Sequence, residues 1–343
     1  MSLAKSIVLI DISADSVAGA YAHYKESEMP TLLYARRLPI ELHDGEPHET
    51  SMLRTFSTLG NTLIREGAPT LARSTGSGSA DAILVSVDAP WQETKVRTES
   101  FEQKSDFIFT KKMVATVFEK TSVAPLGNVL ADESIIGTIL NGYETREPYG
   151  KKVHRASVII LTSLIKQKVS DGIVTVAKSL FHTKNIFSIA GSSLRYQAVR
   201  RMFPHERDAL ILDAMRSLIS VALVRKNLLV AVAEVSDAVV GGVDSASSPQ
   251  DDLQIKKIMD EFAELAKQYP LPRTIFLLSQ ERGSSFLEEA FKTPKLGGLW
   301  LSDNPPKVVP LLASHITGFV RQITTEPPDL PLLLMALYWQ HRP

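Results

Sequence analysis

The apolar residues that open the chain fall into short, strand-length groups. Ser6 to Ile12 is a β-branched run, Val17 to Tyr24 alternates, and Thr31 to Leu38 is a third strand-like segment. The period then changes. Met52, Phe56, Leu59 and Leu63 follow one another at steps of four, three and four, the spacing of one helical face, and Ala82 to Val87 is a short strand of the buried type. Between them Ser74-Thr75-Gly76-Ser77-Gly78-Ser79 has no apolar anchor and reads as a flexible surface loop.

The same order returns later in the chain. Ala209 to Asp213, Leu218 to Arg225 and Leu228 to Glu234 read as strands, the last two joined by a tight turn at Lys226-Asn227. A helix follows with Ile255, Ile258, Phe262, Leu265 and Tyr269 on one face, then the strand Thr274 to Ser279 behind Pro270 and Pro272. Each copy is expected to finish as helix, strand, helix: Lys166 to Phe181, Asn185 to Ala190 and Ser192 to Phe203 in the first, Ser284 to Phe291, Gly298 to Leu301 and Val308 to Arg321 in the second. Residues 89–163 have no counterpart in the second copy. They carry a strand at Val96 to Phe101, a helix capped by Thr110, and strands at Ser134 to Asn141 and Arg155 to Ser163.

Three antiparallel strands, a crossover helix and a parallel strand make a mixed sheet with helices on both faces, and two such units face each other across a cleft. The alternative is one irregular α/β domain in which the similarity of order is accidental; the duplication is the reading adopted. It divides the chain into a first half (1–88 with 164–205), an inserted subdomain (89–163) and a second half (206–343).

Composition narrows the function classes. Apolar residues make up 44% and charged residues 22% of 343, the balance of an ordinary globular protein with room for two or three cores. Lys+Arg and Asp+Glu are both 38, so no net field draws the chain to nucleic acid or to an anionic membrane, and partners must be found by local surfaces. With no cysteine, disulfides, thiolate metal sites and cysteine nucleophiles are excluded. Ile7 to Ile10 is too short for a signal peptide, and Leu330 to Trp339, broken by Pro331, falls below the roughly 20 residues of a membrane span. The expected compartment is the cytoplasm.

An Asp closes the first strand of each copy, Asp11 and Asp213. With the duplicated ribonuclease H-like βββαβα order, this resembles the actin-like ATPases. Within that superfamily the insertion resembles the SHS2 subdomain of proteins of the FtsA and PilM type. The pieces that carry the likeness are Val85-Ser86-Val87-Asp88-Ala89-Pro90-Trp91, Phe109-Thr110-Lys111-Lys112, Asn141-Gly142-Tyr143 and Pro148-Tyr149-Gly150-Lys151-Lys152. Ile189-Ala190-Gly191-Ser192-Ser193 before a helix, and Gly241-Gly242 after the third strand of the second copy, add to it. The resemblance implies a protein at the cytoplasmic face of the inner membrane that couples a membrane machine, a type IV pilus or the division apparatus, to soluble components. Its partners would be the cytoplasmic segment of an inner-membrane protein and other copies of itself.

The resemblance also implies a site. In the actin-like fold ATP lies in the cleft, the hairpin turn after each first strand offers backbone N–H groups to the phosphates, and its Asp orients Mg²⁺ through water. Glycine belongs in such turns because, without a Cβ, the main chain can take positive φ and let phosphate oxygens approach. Here Ser13 stands where the glycine is expected in Asp11-Ile12-Ser13-Ala14-Asp15-Ser16, and Asp15 adds negative charge where a triphosphate would sit. In Asp213-Ala214-Met215-Arg216-Ser217 the glycine pair is replaced by side chains, and the adenine-side element Leu278-Ser279-Gln280-Glu281-Arg282-Gly283 keeps only Gly283. The candidate nucleotide residues are therefore Asp11, Ser13, Ser16, Asp213 and Gly283, with Asp11 and Asp213 as the candidate Mg²⁺ pair. Each Asp has a second reading, a carboxylate that merely receives a turn N–H at a strand end. Arg216 is either a phosphate ligand or the ion-pair partner of Asp15 or Asp11. Two functions follow: a scaffold with degenerate nucleotide binding, or a slow Mg-ATP-dependent ATPase that polymerises.

Other constellations carry less. His43-Asp44-Gly45-Glu46-Pro47-His48-Glu49 lacks metal-ligand spacing and reads as a turn. No Gly-x-Ser-x-Gly, P-loop or Gly-x-Gly-x-x-Gly motif is present. Ser192-Ser193 is expected to cap a helix. The basic pairs Lys111-Lys112, Lys151-Lys152 and Arg200-Arg201 have no aromatic ladder for stacking bases. Asp329 is expected to cap a C-terminal helix that packs on the second half, the alternative being an amphipathic membrane anchor.

Overall fold

The computed structural model describes residues 6–121, 124–145, 147–216, 218–235, 249–279, 284–291, 299–300, 306–324 and 326–342. The chain begins β1 (Ser6–Ile12), β2 (Ser16–His23), β3 (Thr31–Pro39), α1 (His48–Thr62), a π-helical turn, α2 (Ala68–Thr75) and β4 (Ala82–Val87). Next come β5 (Gln92–Ile108), α3 (Lys111–Thr121), β6 (Asn128–Leu140), β7 (Tyr143–Glu144) and β8 (Lys152–Lys166). Then follow α4 (Gln167–Phe181), β9 (Ile186–Ala190), α5 (Gly191–Met202), β10 (Ala209–Asp213), β11 (Ile219–Arg225) and β12 (Leu228–Val235). The chain closes with α6 (Pro249–Gln268), β13 (Thr274–Leu278), α7 (Ser284–Phe291), β14 (Lys307–Leu311), α8 (Ala313–Ile316), β15 (Arg321–Gln322) and α9 (Leu330–Gln340).

These strands form three sheets, ordered β15-β3-β2-β1-β4-β9, β12-β11-β10-β13-β14 and β5-β8-β6-β7. The first two repeat one plan. In each, the opening strand pairs antiparallel with the next and parallel with the strand beyond the first helix, β1 with β4 and β10 with β13. β1 is buried along its whole length because it lies inside its sheet with both faces covered, which is why it reads as a continuous apolar run. Lys226 and Asn227 both take positive φ, 50° and 64°, the twist-matched turn that joins β11 to β12.

Strand parity sorts the cores. Val8, Ile10 and Ile12 point to the outer face under α1 and α4, whereas Ile7 and Leu9 point to the inner face. In the second sheet Leu210 and Leu212 share the outer core with Ile258 and Phe262 of α6, and Ile211 faces inward. The two inner faces join one continuous core through α5 and α9. Ala18, Ala20 and Ala22 of β2 contribute small side chains to this core, so α9 can lie close over the first sheet.

The chain end departs from expectation. Val308 to Arg321 is not one helix: Lys307–Leu311 is a strand paired parallel with β13, and only Ala313–Ile316 is helical. The β-branched Val308-Val309 completes the sheet edge, where Pro310 is tolerated. Of the expected strand Gly298 to Leu301 only residues 299–300 are described, and Trp300 makes a single bridge to Leu271. β15 then pairs with β3 of the first sheet, and α9 packs on α5, β1, β2 and β3. The last helix therefore lies over the first sheet while also packing on α8 and on the inner face of the second sheet, with Leu332 to Ala336 fully buried. No helix among the described residues is long and apolar enough to cross a membrane. The strands of the third sheet run longer than their apolar segments, since β5 carries charged, exposed residues over much of its length.

Leu333→Ala should lower stability by about 3 kcal/mol, the cost of a cavity in a fully buried helix, whereas truncating the exposed Leu126 should change it by less than about 0.5 kcal/mol. Urea unfolding of both variants checks this.

Candidate functional site

The site grows from one row of residues across the first sheet. Asp11 of β1 stands opposite Ala18 of β2, and Ala18 opposite Arg37 of β3, so all three side chains share the inner face. Because Ala18 is small, Arg37 reaches over it: its Nη2 donates to Asp11 Oδ2 at 2.8 Å and its Nη1 to Ser16 Oγ at 3.0 Å. Arg37 also grips Asp329, the N-cap of α9, from Nε at 2.6 Å and from Nη2 at 3.0 Å.

Asp213 holds the matching place at the end of β10 on the inner face of the second sheet. Its partner lies outside that sheet. Arg195 of α5 forks onto Asp88 just beyond β4, Nη1 to Oδ1 at 2.7 Å and Nη2 to Oδ2 at 2.6 Å. Its Nε lies 2.5 Å from Asp213 Oδ2, an ion pair whose N–H is not aligned for a hydrogen bond. Gly191, one helical turn before Arg195, makes this possible: a Cβ there would lie 1.7 Å from Asp88 Oδ1 and 2.3 Å from Arg195 Nη1.

The first hairpin loop satisfies itself. Ser13 N–H donates to the Ser16 carbonyl at 3.0 Å, and the hydroxyls of Ser13 and Ser16 donate to Asp15 Oδ1 at 3.0 and 2.8 Å. From outside, Trp91 Nε1 donates to the Ser13 carbonyl at 3.2 Å and His48 Nε2 meets the Ala14 carbonyl at 2.9 Å. None of residues 13–16 takes positive φ. In the second loop, Ala214 N–H donates to the Leu278 carbonyl and Met215 N–H to Asp213 Oδ1, while the Met215 side chain is buried in the inner core. Arg216 ends with Nη2 3.6 Å from Asp329 Oδ2. A small cavity of about 30 Å³ lies between the two sheets, lined by Ser13, Asp88, Arg195, Asp213, Arg216 and Glu234 among others.

Four carboxylates (Asp11, Asp88, Asp213, Asp329) thus meet three guanidinium groups (Arg37, Arg195, Arg216), one negative charge in excess when all are ionised. Burial opposes the charge on Arg37, but Asp329 and Asp11 outweigh it and hold the cation; Asp213 and Asp88 do the same for Arg195. Arg216 is the weak member, its pKa lowered first by burial and then by Arg37. Burial raises Asp11, against the pull of Arg37 and with Asp88 adding to the rise, and it raises Asp213 against Arg195. Asp11 Oδ1 is buried with no hydrogen-bond partner. Asp329 goes the other way: Arg37, Arg216 and the Leu332 N–H overcome its burial and lower its pKa.

Of the residues singled out in the sequence, Asp11, Ser13, Ser16 and Asp213 come together around this cleft. Gly283 and the pair Gly241-Gly242 lie outside the described residues. The ion-pair partner of Arg216 is Asp329 rather than Asp15 or Asp11, because Arg37 already occupies Asp11. Ser192 and Ser193 do not cap α5, whose N-cap is Ala190; they donate to Thr94 and Asp132 of the third sheet at 2.9 Å each. Thr110 and Asp329 do cap their helices. Arg37, Asp88 and Arg195 were not foreseen. The available signal was faint, a basic pair inside strand β3 and one arginine in the otherwise uncharged opening of α5.

No protein-family model matches the chain, and no curated protein matches its sequence. Solved structures do. One described as a PilM-PilN type IV pilus biogenesis complex superposes with a TM-score of 0.56 at 13% identity, covering 97% of this chain and 98% of that one. This protein has the actin-like ATPase fold. A Bacteroides thetaiotaomicron protein described as having an actin-like ATPase fold and unknown function aligns over 97% of this chain and 96% of its own, with a TM-score of 0.47 and 7% identity. In this actin-like frame, the pair of strand-end aspartates sits where two sheets approach and is met by arginines.

Gly191→Ala should destabilise the protein by about 3 kcal/mol or more, since the new methyl displaces the buried Asp88–Arg195 pair; denaturant unfolding measures it. Asp329, whose folded pKa lies below its ordinary 3.8, contributes stability that is fully present above that value and lost as pH falls through the folded one. The stability gap between the wild type and Asp329→Asn should therefore be widest near neutral pH, about 3 kcal/mol, and shrink in acid, as read by urea unfolding at pH 7 and pH 3.

Proposed function

We infer that this protein is an actin-like scaffold of the PilM type that works through protein contacts, with its own arginines in place of a bound nucleotide. The observation that carries this reading is Arg195, which bridges Asp88 and Asp213 inside the cleft. A magnesium triphosphate fits these residues poorly. Both strand-end carboxylates already face guanidinium groups, the hydroxyls of Ser13 and Ser16 are turned to Asp15, and the Ser13 N–H is tied to a carbonyl. Removing a partner from any buried charge costs about 3–5 kcal/mol, which an incoming nucleotide would have to offset before it gained anything.

In this reading the third sheet and α3 (residues 89–163) are an inserted SHS2-like subdomain, and the halves are 1–88 with 164–205 and 206–343. The structural neighbour is a complex of PilM with PilN. By that analogy the partner proposed here is the cytoplasmic segment of an inner-membrane protein, the place of work is the cytoplasmic face of that membrane, and the machine is a type IV pilus or a division apparatus.

A thermal-shift titration with Mg-ATP decides between this reading and a slow ATPase. A ligand at 100 times its Kd adds about 2.7 kcal/mol of stability. The expected result is no shift up to millimolar Mg-ATP; a saturable upward shift abolished by Asp213→Ala shows that the cleft binds nucleotide and overturns the arginine-filled reading.

A further inference from the structure

We propose that the cap of the C-terminal helix is coupled to the closure of the cleft, so that α9 is a latch whose first turn loosens when the two sheets part; this rests on the arginine-filled cleft of the preceding reading. The coupling lies in one carboxylate. Asp329 Oδ1 accepts the Leu332 N–H at 3.2 Å and so starts α9, while the same group receives Arg37 from the first sheet and Arg216 from the second. The two arginines are unequal. Arg37 is bound through two nitrogens at 2.6 and 3.0 Å, whereas Arg216 approaches to 3.6 Å and has a buried Nε without a hydrogen-bond partner.

The route of the chain makes the latch mechanical. β14 belongs to the second sheet, and the residues after it cross to the first. There Arg321 N–H donates to the Pro30 carbonyl at 2.9 Å and Ile323 N–H to the Leu32 carbonyl at 3.0 Å. α9 is held to the same side by Tyr24 Oη donating to the Ala336 carbonyl at 3.2 Å and by Gln340 Nε2 donating to the Glu28 carbonyl at 3.0 Å. When the second sheet moves away it takes Arg216 with it, and Asp329 keeps only Arg37 as a countercharge. The pull on Arg37 is then shared with Asp11, whose carboxylate has no other hydrogen-bond donor among the described residues. The clasp that resists this motion is Arg195 on Asp213. A partner that parts the sheets, or draws Arg216 from Asp329, reaches α9 in either way.

Hydrogen exchange followed by mass spectrometry tests the coupling on the full chain. Arg216→Ala removes the weaker arginine, whose side chain is 17% exposed and whose loss leaves the core intact; Arg195→Met opens the clasp. Both should speed exchange in a peptide covering Leu330–Met335 at least about threefold, with α4 unchanged as the internal reference. Unaltered α9 exchange in Arg216→Ala overturns the latch, and so does a rise shared equally by α4, which marks general loosening. Nucleotide binding by the wild type would sink the scaffold reading and leave the α9 result standing, so the two failures are separable.

Discussion

A buried ionic network ties the first two sheets of this protein together, and most of the architecture can be read as what is needed to make it tolerable. Charges taken out of water lose several kcal/mol of hydration each, and they persist only when the geometry of their partners is good. Here Arg37 and Arg195 each contact two carboxylates, and those carboxylates come from different elements: β1 and the α9 cap for one, the end of β4 and the end of β10 for the other. The contacts therefore do more than neutralise charge. They specify which strand ends of one sheet meet which strand ends of the other, a role that apolar packing of alanine, leucine and isoleucine leaves loosely defined.

The surrounding residues are chosen to fit. Ala18 clears the path between Arg37 and Asp11, and Gly191 clears the path between Arg195 and Asp88. The first loop closes on its own Asp15, a carboxylate that takes the hydroxyl donors an external anion would need. Above the network, α9 fills the space between the sheets with leucine and methionine, so water that could screen the charges has little access.

Much of the fold was legible because its strands are buried on both faces and its helices on one. Continuous apolar runs marked β1, β4, β10 and β13, the periodicity of Met52, Phe56, Leu59 and Leu63 marked α1, and the return of the same order exposed the duplication. The aspartates that end β1 and β10 could be picked out for the same reason, a charge at a fixed place in a repeated pattern. β14 was missed because a short β-branched stretch with a proline has no period of its own, and its strand state comes from pairing with β13.

Sequence by itself determined the α/β class, the repeat and the two strand-end carboxylates, since each of these is written in local periodicity. Only the tertiary structure decided which cations meet those carboxylates and where the last helix lies. Arg37 and Arg195 look like surface arginines in a linear reading, because burial of a charge depends on neighbours far away in the chain, and Asp329 is 292 residues from the arginine it binds. For Leu330 to Trp339 the same physics applies in reverse. A helix apolar on every side must be buried, yet the hydrophobic effect has no direction and cannot say against which sheet.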